Sequence, residues 1–245
     1  MTLHTCSNGE EKLMQPAPTN PRPPANVPPQ RWAYVRHHLP ALSAILLIGS
    51  MLAVVAEQLA IGPRWLFLGP IIVLVGITGA SMRLGHFNMR RRLGFMMLGV
   101  ITLGMAASTS ALVVSLINPT LRLSDVPHTA ALALLRDAAL IWLVNTLTFA
   151  LWYWELDGGG PSKRLHQGYT SHDFVFPQVS SATAEMPHWC PHFIDYLFLA
   201  FNTSTAFSPT DTLVLSPRAK LLMMTQALIS LTVLAVIAAR AINTL

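Results

Sequence analysis

From Leu93 to Leu121 the chain carries no aspartate, glutamate, lysine or arginine. A helix crossing a hydrocarbon core of about 30 Å needs ~20 predominantly apolar residues, and this run exceeds that length. His37–Ala56, Trp65–Met82, Ala138–Trp154 and Leu221–Ala239 are free of the same four residue types. A soluble domain carries about 25% charged residues, whereas this chain of 245 residues has 11%, with 52% hydrophobic. A water-soluble core would show shorter amphipathic helices with polar faces. The pattern therefore predicts an all-α polytopic transmembrane helical bundle.

Spans are expected at about 39–59, 65–82, 95–117, 135–154 and 219–241, with a short apolar segment at 193–207. This makes five full spans plus one short or re-entrant membrane segment. Glycine, proline and charge end the runs, at Gly62-Pro63-Arg64, Arg83–Arg92, Asn118-Pro119 and Asp157–Pro161. Residues 1–30 hold Pro16, Pro18, Pro21, Pro23, Pro24, Pro28 and Pro29 and scarcely a large apolar side chain. Such a segment cannot offset its ordering entropy. Residues 1–36 are read as a disordered Pro-rich cytoplasmic tail, and 37–245 as the membrane domain. The first apolar run starts too late for a signal peptide.

Lysine and arginine set the orientation. If 193–207 crosses, one side holds Lys12, Arg22, Arg31, Arg36, Arg83, Arg90, Arg91, Arg92, Lys163, Arg164 and Arg240. The other holds Arg64, Arg122, Arg136, Arg218 and Lys220. Eleven against five places both termini in the cytoplasm and the chain in the cell (inner) membrane. Trp152, Tyr153 and Trp154 are then expected as an interfacial belt.

Polar residues inside spans are the default functional candidates. Asn145 and Gln226 lie mid-span, where an amide must find a partner, and helix–helix bonding outweighs substrate contact for both. Glu57, Arg136 and Asp137 sit near span ends, where water or headgroups reach them. The segment 193–207 is about 22 Å as a helix, short of the core thickness. It leads into Asn202, Thr203, Ser204 and Thr205, then Ser208-Pro209-Thr210-Asp211. A half-helix ending in a water-lined turn fits that composition; so does a short span with a polar outer end.

Two resemblances attach to these residues. Phe193–Phe201, the Ser/Thr-rich stretch ending at Asp211, Ser216-Pro217-Arg218 and the following helix resemble the C-terminal part of an uncharacterised bacterial inner-membrane protein family. Trp142–Leu147, Phe149–Tyr153, Asp173-Phe174 and Phe176-Pro177 resemble its penultimate region. That resemblance implies a multi-pass membrane fold and no particular activity. More distantly, Thr203, Ser204, Thr205, Asp211, Pro217 and Arg218 follow the order of the pore helix and inner helix of two-span potassium channels. A potassium filter needs a glycine-bearing carbonyl loop, and no glycine follows Gly168. The usual filter is therefore excluded.

His188, Cys190, His192 and Asp195 have ligand-type side chains, but no second set at zinc spacing accompanies them. Neither metal nor cofactor is expected. With no phosphate loop or nucleophile elbow in the chain, neither is enzyme activity. The basic pI of about 9.7 reflects inter-span loops, so nucleic acid is not an expected partner. The expected partners are the lipid bilayer, a second copy of the chain in a homo-oligomer, and an ion or small solute. Asn145, Asn202, Thr203, Ser204, Thr205, Asp211 and Gln226 are the candidate path-lining residues of a channel-like or carrier-like protein. The alternative is a non-conducting structural or accessory membrane protein in which they only join helices.

Overall fold

The computed structural model describes residues 31–58, 69, 72, 76, 87–117, 127–161, 163, 164, 169, 173–180, 189–205 and 211–242. The proline-rich stretch 1–30 lies outside them, as does nearly all of the expected span 65–82. Helix α1 runs Arg31–Gln58, α2 Phe87–Ile117 and α3 Pro127–Leu156, with a 3-10 turn at Asp157–Gly159. Strand β1 (Phe174–Val175), α4 (Pro177–Ser180), α5 (Phe193–Thr205), β2 (Leu213–Val214) and α6 (Pro217–Ile242) follow. The helical start at Arg31 precedes the expected end of the tail at residue 36.

Three helices are long and apolar enough to cross a membrane, with windows Arg91–Val114, Ala133–Gly159 and Pro217–Ala239. In α1, Leu39–Val55 is a shorter apolar stretch. The expectation of five full spans is thus met by three such helices among the described residues. Of the α3 window 67% is buried, against 22% for α6, so α3 is the central post of the bundle.

Two buried clusters fix the direction of each helix. One joins Ile45 and Leu52 of α1, Leu98 and Met105 of α2, Phe149 and Tyr153 of α3, Phe174, and Phe193 and Leu199 of α5. The other joins Val55, Leu112, Leu134, Ile141, Val233 and Val236. Helices α1 and α2 therefore run parallel to each other and antiparallel to α3. Proline opens α3 and α6 at the first helical position, where the missing N–H costs nothing.

The short helix α5 decides the topology. At its start, the Tyr196 hydroxyl donates to Asp157 Oδ2 at 2.6 Å, level with the end of α3. At its end, Ser204 Oγ accepts from Thr146 Oγ1 at 3.0 Å, well inside the bundle. By Leu213 the chain is back beside Phe174, because β2 pairs antiparallel with β1 in the register Phe174–Val214 and Val175–Leu213. Helix α6 then starts at that same end and runs parallel to α5. Among the described residues, α5 starts at, and β2 lies at, the end of the bundle where α3 ends. Thirteen residues reach about 18 Å, too short for a core of about 30 Å.

The aromatic belt expected at Trp152–Trp154 is not formed. Tyr153 and Trp154 are buried, and Trp154 packs edge-on against Phe193 at 6.1 Å. Phe193 at the start of α5 and Phe174 of β1 cover this end of α3, so the rings pack on protein.

Candidate functional site

Lone hydroxyls along the bundle bond back to their own helices. Thr102 donates to the Leu98 carbonyl, Thr109 to Met105, Thr225 to Leu221 and Thr232 to Leu228, at 2.7–2.9 Å. This is the cheap way to satisfy a hydroxyl where water is absent. At the junction of α3, α5 and α6 the polar groups cross between helices instead.

Gln226 sits at the centre of that junction, fully buried. Its Nε2 donates to the Ala200 carbonyl at 2.7 Å and to Ser204 Oγ at 2.6 Å, while its Oε1 accepts from the Tyr153 hydroxyl at 2.5 Å. Asn145 Nδ2 donates to Ser230 Oγ at 2.8 Å and to the Gln226 carbonyl at 3.3 Å. Trp142 Nε1 reaches the Ser204 carbonyl at 3.4 Å. One turn separates Gln226 from Ser230, so both lie on the α6 face that meets α3. In lipid the hydrophobic effect between helices is small, so such bonds and close packing carry the specificity of assembly.

Of the sequence candidates, Asn145, Ser204 and Gln226 meet in this network. Thr203 is buried beside them, its hydroxyl donating to the Leu199 carbonyl at 2.9 Å. Asn202 and Thr205 are half-buried, and the Thr205 hydroxyl turns to the Phe201 and Asn202 carbonyls of its own helix. Asp211 is exposed and precedes β2, at the end of the bundle rather than beside the network. Asn145 Oδ1, Ser108 Oγ and Thr148 Oγ1 are buried with no hydrogen-bond partner among the described residues. Sequence reasoning missed Tyr153, Thr146 and Ser230; the four-residue spacing of Gln226 and Ser230 was the available signal.

A second polar centre closes the end of the bundle where α5 and α6 begin. After α3, Gly158, Gly159 and Gly160 take φ of 58°, 82° and 97°, which side chains rarely adopt. The turn brings Arg164 back under the helix, where it donates to the carbonyls of Asp157 and, at 2.9 Å, Trp154. The Asp157 carbonyl also accepts from the Gly160 N–H at 3.0 Å, and a cation suits that end of the helix dipole. The guanidinium, 2% exposed, lies 5.2 Å from the Tyr196 ring centre.

Asp157 is fully buried. Its Oδ2 accepts from Tyr196 at 2.6 Å and Tyr169 at 3.0 Å, and its Oδ1 from the backbone N–H of Asp173 and Phe174 at 3.3 and 3.4 Å. Burial, reinforced by the Asp157 carboxylate, pushes the Tyr169 phenol well above its ordinary range. Asp173, also buried, accepts from Arg218 at 2.8 and 3.0 Å and from Ser216 Oγ at 2.5 Å. Ser216 in turn caps α6 by accepting from the Ala219 N–H at 3.2 Å. At the head of α5, Asp195 accepts from the His192 N–H at 2.6 Å, a capping contact. Of the four ligand-type residues, His188 lies outside the described residues, and no metal-holding group forms among those described.

No family model, curated protein or solved structure matches the chain.

Proposed function

We propose that the chain is a channel-like or carrier-like membrane protein whose path for an ion or small solute passes the end of the re-entrant helix α5. The single observation that carries this reading is that α5 and α6 leave the same end of the bundle and run parallel. A helix that ends inside the bundle, as α5 does at Thr205, leaves its last carbonyls at membrane depth, which is tolerated only inside protein or beside water. The C-terminal end of a half-helix also presents its negative dipole end there, which favours cations. Unmet acceptor capacity at Asn145 lies at the same depth.

The proposal includes an orientation. Among the described residues, Arg136 and Arg240 fall at the end opposite Asp157. Arg31, Arg36, Arg90, Arg91, Arg92, Lys163, Arg164, Arg218 and Lys220 fall at the Asp157 end. That imbalance is steeper than the one obtained if 193–207 crosses, and it supports a cytoplasmic Asp157 end. The hairpin then enters from the cytoplasm, and the C-terminus lies on the opposite face from the N-terminus, not beside it.

The interhelical bonds among Asn145, Thr146, Ser204, Gln226 and Ser230 favour the second reading, a non-conducting accessory protein held together by these groups. Purified protein in liposomes separates the two. The path reading expects cation flux, and labelling of Thr205→Cys by a water-soluble maleimide in a Cys6→Ser, Cys190→Ser background. Absence of both leaves the accessory reading.

A further inference from the structure

The two feet of the re-entrant hairpin are held in different ways. The α5 foot is dry: Tyr196 and Asp157 are both fully buried, and Phe176 and Phe174 close on the Tyr196 ring edge-on at 5.3 and 6.3 Å. The α6 foot hangs on Asp173, which is fully buried, and on Arg218, whose side chain is 57% exposed. The Ser216 hydroxyl donates to Asp173 Oδ1 at 2.5 Å and the Leu215 N–H to the Asp173 carbonyl at 2.9 Å, and a strand pair of two residues completes the attachment. Water and salt therefore reach one half of the α6 clasp and neither half of the α5 clasp.

We propose that the Asp173–Arg218 pair is a releasable latch, and that its opening frees the start of α6 while α5 stays anchored at Asp157. Arg218 and Gln226 ride on one continuous helix, Pro217–Ile242. Displacing the first turn of α6 moves Gln226, the group that ties Tyr153 of α3 to Ala200 and Ser204 of α5. Release at the face thereby loosens the polar junction about two turns deeper. The latch assigns a means of regulation to the junction and rests on the path reading only for its consequence, not for its mechanics. A buried carboxylate that loses its cationic partner and keeps a single hydroxyl is driven to find water, so an opened Asp173 draws its strand outward and does not rest in place.

Amide hydrogen exchange on the full-length protein in liposomes tests the latch directly. In Arg218→Gln, amides of residues 213–226 should exchange about tenfold faster, while those of 193–197 keep their protection. Raising salt should produce the same pattern, more weakly, in the unaltered protein. Arg136→Gln is the control, because Arg136 also pairs an exposed guanidinium with a buried Asp137, at 2.9 Å on a different helix. Unchanged exchange at 213–226 in Arg218→Gln overturns the proposal, as does an equal rise at the α5 foot or in Arg136→Gln. If Arg218→Gln fails to assemble, the exchanged pair Asp173→Arg with Arg218→Asp replaces it; failure to recover slow exchange there also overturns the latch. Cation flux measured on the same liposomes reports separately on the path. Faster exchange without flux keeps the latch and removes the path, whereas flux without faster exchange does the reverse.

Discussion

Gln226 donates to Ser204 across 2.6 Å between two helices that start at the same end of the bundle. Ser204 is the twelfth residue of α5 and Gln226 the tenth of α6, and the starts of both helices are held at one end of the bundle, Tyr196 on Asp157 and Arg218 on Asp173. A crossing α5 would leave Ser204 beside the start of α6, not beside its third turn. The three contacts together show that α5 and α6 run side by side in the same direction.

Replacing Gln226 with leucine removes the acceptor of Tyr153 and the donor to Ala200 and Ser204. The expected loss is about 2 kcal/mol, since single interhelical bonds in lipid average well below that. Unfolding of the variant in mixed micelles measures it. Tyr153→Phe in the same background should add little, because its partner is already gone; full additivity would show that the two residues act separately.

Asp157→Ala leaves the Tyr196 phenol and two backbone N–H groups without their common acceptor, while the Tyr169 hydroxyl keeps the Phe174 carbonyl at 2.9 Å. A loss of about 3 kcal/mol or more is expected, because each stranded group bears its own desolvation cost. Tyr169→Phe should cost about 1 kcal/mol, since it removes only one of those donors. Comparable stability of Asp157→Ala and the unaltered protein would contradict the hub assignment.

Reporter fusions placed after Asp157 and after Asp211 should give the same cytoplasmic signal. A fusion at the C-terminus should give the external one. Opposite signals at the first two sites would require α5 to cross.

Burial lifts the Cys190 thiol above its usual range, with Arg164 opposing. In a Cys6→Ser variant, alkylation at pH 7 should therefore be slower than for an exposed thiol and should rise steeply with pH. Cys190 and Tyr169 both favour their protonated forms when folded. Each contributes stability that is complete below its unfolded value and is lost as pH rises through its folded value. The unfolding midpoint should fall above about pH 8.5, where unfolded thiols begin to ionise. A midpoint flat from pH 8 to 11 would count against both.

The apolar runs were legible because they are long: α2, α3 and α6 fall where charge is absent from the sequence. The junction was partly legible, since Asn145, Ser204 and Gln226 stand out against apolar neighbours. Their mutual bonding was not, because partners 58–85 residues apart leave no local pattern. The direction of α5 was undetermined for the same reason. A short apolar segment reads alike whether it crosses or turns back, and only Asp157, Asp173 and the β1–β2 pair distinguish the two. Those residues lie in a stretch whose polarity reads simply as a loop. The aromatic cluster Trp152–Trp154 misled, because a ring suits the headgroup region and a protein cover equally well.

The parallel pairing of α5 and α6 also bears on biogenesis. Chains emerge from the ribosome N-terminus first, so α5 is made before the helix that satisfies it. Until residue 226 has entered the bundle, Ser204 has only Thr146 of its two donors, and the inner end of α5 lacks its neighbour on α6. Helices α1 to α3 can pack as soon as each is synthesised, but α5 completes its polar contacts only when α6 arrives. Assembly of this bundle therefore ends with a coupled step in which a half-length helix and a full-length one dock together.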